Sequence, residues 1–125
     1  MAKFFICELC GNIVGMVKDR GGPLSCCTEN MTHLDPNTVD ASQEKHLPQA
    51  TKTENGISVS VGSVFHPMEE SHYIDFIYVQ TQKGGQCAKL DIGDSPEAEF
   101  CFVGDKPVEV YAYCNLHGLW KTEIR

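Results

Sequence analysis

Apolar and polar residues alternate in a series of short runs from Gly56 onward. Successive side chains of a β-strand point to opposite faces, so this period of two, enriched in β-branched and aromatic residues, is typical of strands. The pattern predicts strands at 57–61, 73–80, 86–90, 99–103 and 108–113. Turn signals separate the runs, and no segment is long and helically periodic enough for a helical bundle. We therefore predict an all-β fold in which this part forms an antiparallel β-sandwich.

The first 36 residues follow a different pattern, in which cysteines and glycines interrupt two short apolar runs at 3–6 and 13–17. So short a segment cannot bury enough apolar surface to fold alone, and a bound metal would supply the missing folding free energy. A polar stretch at 33–43 is typical of a linker. We expect two domains, residues 1–36 and residues 37–125.

Composition and charge narrow the possible functions. The 125 residues carry a net charge of −7, and no cluster of Lys and Arg offers the surface that nucleic acids require. No apolar run approaches the roughly 20 residues that span a bilayer, and the start of the chain lacks a secretory signal, so we expect a cytoplasmic protein without a membrane segment. Seven cysteines, an odd number, then favour metal ligation over disulfides, because cytosolic thiols are kept reduced.

The first candidate metal site consists of Cys7, Cys10, Cys26 and Cys27. Two thiolates in a Cys-x-x-Cys turn can occupy two corners of a tetrahedron, and the second close pair can supply the others. Cys26 and Cys27 are adjacent, so we expect their side chains to diverge and distort the tetrahedron. Spacing alone favours a zinc staple over iron, although four sulfur ligands suit both metals, and disulfides are the weaker alternative.

The second candidate site consists of four histidines and one cysteine: His46, His66, His72, Cys114 and His117. Five such ligands exceed the needs of a closed tetrahedral zinc site and suit a redox-active iron with a vacant position. Cys114 and His117 are three residues apart on a single turn, and both can reach one ion. His33 has no partner at a suitable spacing and is interpreted as an ordinary loop residue.

Two further assignments concern residues near these ligands. A residue before proline is held extended, so the Leu47-Pro48 sequence predicts an extended segment in which Glu44 and His46 share a face, with Lys45 opposite. Cys87 and Cys101 lie inside predicted strands, where a free cysteine behaves as a small buried apolar residue, and we assign them no function.

These residues resemble a known family, desulfoferrodoxin, the two-iron form of superoxide reductase. Nearly the whole chain carries the resemblance, through the following segments: Cys7-Glu-Leu-Cys10-Gly-Asn-Ile-Val, Leu24-Ser-Cys26-Cys27 and Met31, Glu44-Lys45-His46-Leu47-Pro48, Gly62-Ser-Val-Phe-His66-Pro-Met-Glu-Glu-Ser-His72, and Tyr113-Cys114-Asn-Leu-His117-Gly. Two departures are Thr28, where the family has glycine, and Phe65, where it has proline. Neither removes a ligand.

The resemblance implies two iron ions per chain. The first four cysteines would bind one iron in a distorted four-sulfur centre within a small desulforedoxin-like domain. The four histidines would surround the second iron, with Cys114 as the axial ligand of a square pyramid, in an immunoglobulin-like sandwich. The implied activity is the one-electron reduction of superoxide to hydrogen peroxide, with rubredoxin or a similar carrier as the electron donor.

Our mechanistic hypothesis gives Lys45 and Glu44 catalytic roles. Ferrous iron with four neutral imidazoles and one thiolate has a formal charge of about +1, which attracts a small anion, and Lys45 would add to that attraction. Superoxide would bind at the vacant position, and Glu44 could ligate the oxidised iron and displace the product. The four-cysteine centre would relay electrons or hold its domain together, and exposed strand edges suggest a homodimer.

Three other functions are compatible with parts of the sequence. A pure electron-transfer protein would need no vacant coordination position and no Lys-Glu pair beside a ligand. A zinc-stapled interaction module would require both metals to be zinc. A metallohydrolase is disfavoured, because such sites usually combine three protein ligands with a carboxylate base.

Overall fold

The computed structural model describes residues 2–124 of the chain. These residues fall into two compact units, one ending at Asp35 and the other beginning at Pro36. The first unit contains five short strands: β1 (Phe4–Ile6), β2 (Ile13–Gly15), β3 (Ser25–Cys26), β4 (Glu29–Asn30) and β5 (Thr32–His33). The second unit contains one helical turn and seven strands: α1 (Gln43–His46), β6 (Pro48–Lys52), β7 (Gly56–Val61), β8 (Ile74–Thr81), β9 (Gly85–Lys89), β10 (Glu97–Cys101), β11 (Pro107–Cys114) and β12 (Gly118–Glu123).

The first unit has very little hydrophobic core. Its strands form an antiparallel sheet in the order β2-β1-β5 and a separate β3-β4 hairpin. Among its described residues only Phe4 and Cys7 are buried. Strands of two or three residues bury too little apolar surface to offset the conformational entropy lost on folding, so this unit depends on a covalent or metal cross-link.

The second unit is a sandwich of two antiparallel sheets. One sheet has the order β10-β7-β6 and the other the order β12-β11-β8-β9. Ile57, Val59 and Val61 alternate along β7 and face inward, and Ile77 and Val79 on β8 face them from the other sheet. Three and four strands packed in this way are typical of immunoglobulin-like domains. The predicted all-β class and the predicted sandwich are confirmed.

Alternation located five of the seven strands of the sandwich and missed two of its four edge strands. The predicted strands overlap β7 to β11 in this unit, whereas β6 and β12 were not predicted. Both lie at the edge of a sheet, and in β6 only Pro48 is buried, so the strand lacks an apolar face. In β12 two consecutive residues, Leu119 and Trp120, are buried, so this strand does not show the period of two either.

The predicted burial of Cys87 and Cys101 is wrong. Both residues lie in strands, as expected, but both are exposed thiols. Each belongs to an edge strand, β9 or β10, and each sits on the face that points away from the core. On β10 the core-facing position is the neighbouring Phe100, which is 4% exposed.

The predicted extended segment before Pro48 is also wrong for most of its length. Gln43–His46 forms one turn of α-helix, and only Leu47, at φ −68° and ψ 121°, has the extended conformation that a following proline favours. Side chains in a helix turn by about 100° per residue, so Glu44 and His46 do not share a face. No helix among residues 2–124 is long and apolar enough to cross a membrane.

Candidate metal centres

The first centre is the four-cysteine cluster of the N-terminal unit. Cys7 follows β1, Cys10 lies one turn further, and Cys26 and Cys27 lie at the β3-β4 hairpin. Their four sulfur atoms lie within 4.8 Å of one another, with Cys10 Sγ 3.5 Å and Cys27 Sγ 3.9 Å from Cys26 Sγ. Four sulfurs at about 2.3 Å from a metal in a tetrahedron would be about 3.8 Å apart, so the cluster fits one ion.

Local backbone bonds shape the Cys7 to Asn12 turn around this cluster. The Gly11 N–H donates to the Cys7 carbonyl, and the Cys7 N–H donates to the Asn12 carbonyl, both at 2.8 Å. Gly11 has φ +83°, a conformation that glycine adopts without strain. The side-chain amide of Asn12 also points at the Cys26 sulfur, at 3.8 Å.

The pKa values of Cys7 and Cys26 shift in opposite directions. A hydrogen bond from the Cys10 backbone lowers the pKa of Cys7 to about 7. Contacts with the Cys7 and Cys10 side chains raise the pKa of Cys26 to about 12. In the absence of a cation Cys7 therefore loses its proton more readily than Cys26, because neighbouring sulfurs oppose further negative charge at Cys26. A bound metal cation would stabilise all four as thiolates.

The second centre lies at one end of the sandwich, where four separate segments meet. His46 ends α1, His66 and His72 lie in the loop between β7 and β8, Cys114 ends β11, and His117 lies in the turn before β12. The donor atoms of His46, His72, Cys114 and His117 lie within 4.8 Å of one another. His66 lies beside this group, with its Nε2 3.2 Å from His46 Nε2.

The four imidazoles form a ring around a common centre. Successive ring centroids are 4.7 Å apart for His46 and His66, 4.5 Å for His66 and His72, 5.1 Å for His72 and His117, and 4.9 Å for His117 and His46. The diagonal from His46 to His72 is longer, at 6.2 Å. Four similar sides and a longer diagonal describe a roughly square arrangement.

The facing ring nitrogens have the spacing of metal ligands. His46 Nε2 is 3.1 Å from His117 Nδ1 and 3.2 Å from His66 Nε2. Two nitrogens bound at right angles, each about 2.1 Å from one metal, would be about 3.0 Å apart. Cys114 Sγ lies 3.8 Å from His117 Nδ1, so the sulfur belongs to the same cluster.

Hydrogen bonds set the tautomers of two of these histidines. His46 Nδ1–H donates to the Ser42 carbonyl at 2.6 Å, and His66 Nδ1–H donates to the Pro67 carbonyl at 2.7 Å. Each bond fixes the ring and leaves Nε2 unprotonated, as ligation requires. His72 Nε2 is buried without a hydrogen-bond partner. A bound cation would satisfy this nitrogen, so the residues fit a metal.

Burial keeps these histidines neutral. Burial lowers the pKa of His66 to about 4, and it also lowers the pKa of His46 and of His72. Smaller effects act in the opposite direction: the hydrogen bonds of His66 and His46 to backbone carbonyls, and the charge of Glu69 near His72. The neighbouring imidazole of His117 also lowers the pKa of both His46 and His72. The charge of Lys45 lowers both values further, by a smaller amount. Burial raises the pKa of the Cys114 thiol, although the backbone N–H groups of His117 and Leu116 act in the opposite direction.

Lys45 and Glu44 occupy the exposed side of α1. Lys45 directly precedes His46 in the chain, and its charge lowers the pKa of both His46 and His72. The Glu44 carbonyl accepts bonds from the Val64 N–H at 3.1 Å and the Ser63 hydroxyl at 3.3 Å, which ties α1 to the loop that leads into His66. His33 belongs to neither of the two ligand groups among the described residues, but the prediction that it lies in a loop is wrong: it is in β5, beside the Phe5 ring.

Two residues that support the site were not predicted. Trp120 is 2% exposed, stacks on His46 with ring centroids 5.0 Å apart, and donates from Nε1 to the His117 carbonyl at 3.1 Å. Asn115, inside the Cys114 to His117 turn, bonds to the backbone on both sides of His72. Tryptophan and asparagine are not among the common protein ligands of iron, so residue type did not mark either of them as part of a metal site. Their closeness in sequence to His117 was the available signal.

Two family models match the chain. The model described as "Desulfoferrodoxin, N-terminal domain" matches residues 2–34, and the model described as "Desulfoferrodoxin" matches residues 38–123. Together they cover both of the candidate centres.

Individual proteins of the same kind are similar to this chain. A desulfoferrodoxin of Syntrophotalea carbinolica is 50% identical over 121 residues, which cover 97% of this chain and 95% of that protein. A superoxide reductase of Pyrococcus horikoshii is 34% identical over 104 residues, covering 69% of this chain and 90% of that protein. The crystal structure of the superoxide reductase from Treponema pallidum has a TM-score of 0.84 at 35% identity, and the match covers 98% and 99% of the two chains.

Proposed function

This chain belongs to the desulfoferrodoxin family, and from that premise we infer that it is a superoxide reductase. The reaction joins one superoxide anion, one electron and two protons to give one molecule of hydrogen peroxide. The single observation that carries this function is the meeting of four imidazoles and one thiolate at one end of the sandwich. A closed tetrahedral zinc site would leave at least one of these five donors unused.

Two irons belong to the chain, one at the four-cysteine site and one at the site of His46, His72, Cys114 and His117. We add His66 to the second ligand set, because its Nε2 is as close to His46 Nε2 as two neighbouring ligands would be. Iron bound there supplies the single electron. The chain supplies four imidazoles, two of them in tautomers fixed by hydrogen bonds, and one thiolate, whose electron donation would tune the metal as in thiolate-ligated haems.

Lys45 guides superoxide to this end of the sandwich. The protein as a whole has a net charge of −7, which repels an anion at long range. The Lys45 ammonium is a local positive charge whose field reaches both His46 and His72. The attraction of a local positive charge for an anion that has reached the site outweighs the screened field of remote carboxylates.

We assign Glu44 a role in the release of the peroxide product. Its main chain is held by Val64 and Ser63, while its side chain is exposed and free to turn. A carboxylate on a fixed backbone beside the site can approach the oxidised centre and favour departure of the peroxide.

Electrons come from outside the chain, because each superoxide consumes one. We propose a rubredoxin-like carrier as the donor, with the four-cysteine centre as a relay or a structural staple. Cys10 and Cys27, at that centre, are exposed and offer a route for an electron. We also propose a homodimer, since each sheet of the sandwich ends in open edge strands, and a cytoplasmic location, since all seven cysteines are free thiols.

The stoichiometry of a pulse-radiolysis experiment tests this function. The reduced protein is mixed with a known amount of superoxide, and hydrogen peroxide and oxygen are measured. A reductase yields one peroxide for each superoxide and no oxygen, with oxidation of one iron per event. A dismutase yields half as much peroxide together with oxygen, and a pure electron carrier shows no fast second-order reaction; either result contradicts the proposal.

A further inference from the structure

Asn115 joins the turn that carries Cys114 and His117 to the loop that carries His72. It is half-buried between Cys114 and the turn that carries His117. Its Oδ1 accepts from the Tyr73 N–H at 2.8 Å, and its Nδ2 donates to the Ser71 carbonyl at 3.1 Å. Its own N–H donates to the Tyr73 carbonyl at 3.2 Å. Asn115 therefore makes three hydrogen bonds to the residues on either side of His72.

The hydrogen bonds of Asn115 begin where the regular pairing of β8 with β11 ends. The last paired residues of β11 and β8 are Cys114 and Ile74, and the register shifts between Tyr113 and Cys114. Beyond that point the β8 side of the sheet becomes the loop that bears His72. The Asn115 side chain continues the pairing, acting as donor and acceptor where a strand would use its peptide groups.

His72 needs such support more than two of its neighbours do. His46 and His66 are each fixed by a carbonyl that accepts from Nδ1. In the part of the chain that the structure describes, no carbonyl holds the ring of His72 in this way, and its Nε2 is buried without a partner. Its backbone bonds run only to Glu69, at 2.9 and 3.1 Å, and so close the loop on itself. Asn115 is the anchor of this loop to the ligand pair Cys114 and His117.

We propose that Asn115 is a positioning residue that holds His72 within the second metal centre. The proposal rests on the proposed function, because it assumes that His72 is an iron ligand. Without its two side-chain bonds, Asn115 holds the backbone beside His72 by its main-chain N–H alone, and the fourth imidazole moves relative to the other ligands. Loss of an outer partner of a metal ligand commonly weakens metal binding by about 10- to 100-fold.

The chain offers a matched control at Asn37. Its Nδ2 donates to the Lys121 carbonyl at 3.1 Å, and its Oδ1 accepts from the Lys121 N–H at 2.8 Å. This is the same pair of side-chain bonds in the same unit, made to a residue that flanks Trp120 and does not flank a ligand. Asn37 also has φ +62°, which alanine tolerates poorly. Asn37→Ala should therefore destabilise the fold at least as much as Asn115→Ala.

The test compares these two variants in the iron-loaded, full-length protein. We expect Asn115→Ala to release its second iron to a chelator about 10-fold faster than the wild type and to change the electron paramagnetic resonance spectrum of the oxidised site. The iron release rate of Asn115→Asp should lie between those of the wild type and Asn115→Ala, because a carboxylate still accepts from the Tyr73 N–H. Asn37→Ala should keep the wild-type spectrum and release rate.

Equal iron release and identical spectra in the two alanine variants would overturn the proposal. If Asn115→Ala does not fold, the same comparison between Asn115→Asp and Asn37→Asp decides it. A failure of the proposed function is distinguishable, since it would appear in the wild type, as a protein that does not convert superoxide to peroxide. A wild type that reacts with superoxide, and an Asn115 variant that holds iron as firmly as its control, would reject only the role of Asn115.

Discussion

At the scale of single residues, burial and charge prepare the second centre to bind a cation and then attract an anion. The low pKa of His66, about 4, means that this imidazole is neutral at pH 7 and can offer its lone pair to a metal. Lys45 lies close enough to lower the pKa of His46 and His72, yet it remains exposed to solvent. One positive charge thus lies on the exposed side of α1, directly before the ligand His46, and we propose that an approaching anion meets it there.

The first prediction concerns this charge. Lys45→Ala should reduce the second-order rate constant for superoxide about 10-fold and flatten its dependence on ionic strength, because local attraction raises the encounter rate of an anion. Pulse radiolysis at several salt concentrations measures both effects. Lys45→Arg, which keeps the charge, should retain most of the rate.

Lys52→Ala is the matched control for Lys45. Lys52 is an exposed lysine at the far end of β6, and its removal changes the net charge by the same amount. If the two alanine variants react with superoxide at the same rate, Lys45 has no special role and only net charge matters.

The sequence identified ligand types more readily than their supports. Cysteines and histidines have few structural reasons to cluster, so the ligand residues could be named from residue type and spacing alone. Trp120 and Asn115 act through stacking and hydrogen bonds that depend on the folded backbone. A tryptophan or an asparagine in a sequence has many possible roles, and only the three-dimensional contacts select one.

At the scale of elements, the β3-β4 hairpin carries backbone strain next to two metal ligands. Its two central residues, Cys27 and Thr28, have φ of 52° and 64°. Positive φ at both positions is typical of a type I′ turn, where Asn-Gly is strongly preferred. A β-branched residue in this conformation is unusual, because its Cβ crowds the backbone at a cost of about 1–2 kcal/mol.

The second prediction follows from this turn. Thr28→Gly should raise the free energy of unfolding of the iron-loaded N-terminal unit by about 1 kcal/mol, because glycine adopts positive φ without strain. The gain stays near the lower end of the range, since glycine also increases the entropy of the unfolded chain. Denaturant titration, followed by the loss of the iron–sulfur absorption of the four-cysteine centre, measures it.

Thr32→Gly provides the comparison for Thr28→Gly. Thr32 is an exposed threonine in β5 of the same unit, in an ordinary strand conformation. Glycine there should lower stability by about 0.5–1 kcal/mol. The two substitutions are chemically identical, so opposite signs would isolate the effect of backbone conformation. A loss of stability in both variants would mean that Thr28 is not strained.

The elements themselves were predictable where local pattern and tertiary burial agree. β7 alternates strictly between buried and partly exposed residues, and its position was predicted to within one residue. The helical turn α1 was not predicted, because four residues have no measurable period and the rule for residues before proline governs only Leu47. Its conformation is fixed by bonds to the loop after β7, such as that from the Val64 N–H to the Glu44 carbonyl.

At the scale of the whole molecule, the two units differ in what holds them together. The sandwich has a continuous core that includes Val59, Ile77 and Val110, each fully buried. The N-terminal unit buries only Phe4 and Cys7 among its described residues. Burial of an average apolar side chain contributes about 1.5–3 kcal/mol, so two residues cannot offset the ordering of more than thirty others.

The third prediction is that removal of iron affects the two units unequally. In the metal-free protein, amide hydrogen exchange in β1, β2 and β5 should become as fast as in an unfolded chain, while the strands of the sandwich core, such as β8 and β11, remain protected. The reason is that metal binding supplies the folding free energy of a small unit that has no adequate core. Mass spectrometry of deuterated fragments measures the protection of each segment.

Substitution of single ligands separates the contributions of the two metals. Cys10→Ser should abolish the four-cysteine centre and remove the protection of the first unit alone. His72→Ala should weaken the second centre and leave that protection intact, because no residue of the first unit belongs to the second ligand group. The predicted division into domains 1–36 and 37–125 is a statement about independent folding, and this pair of variants tests it directly. Protection that is lost throughout the chain in Cys10→Ser would show that the sandwich depends on the first metal and would contradict the division.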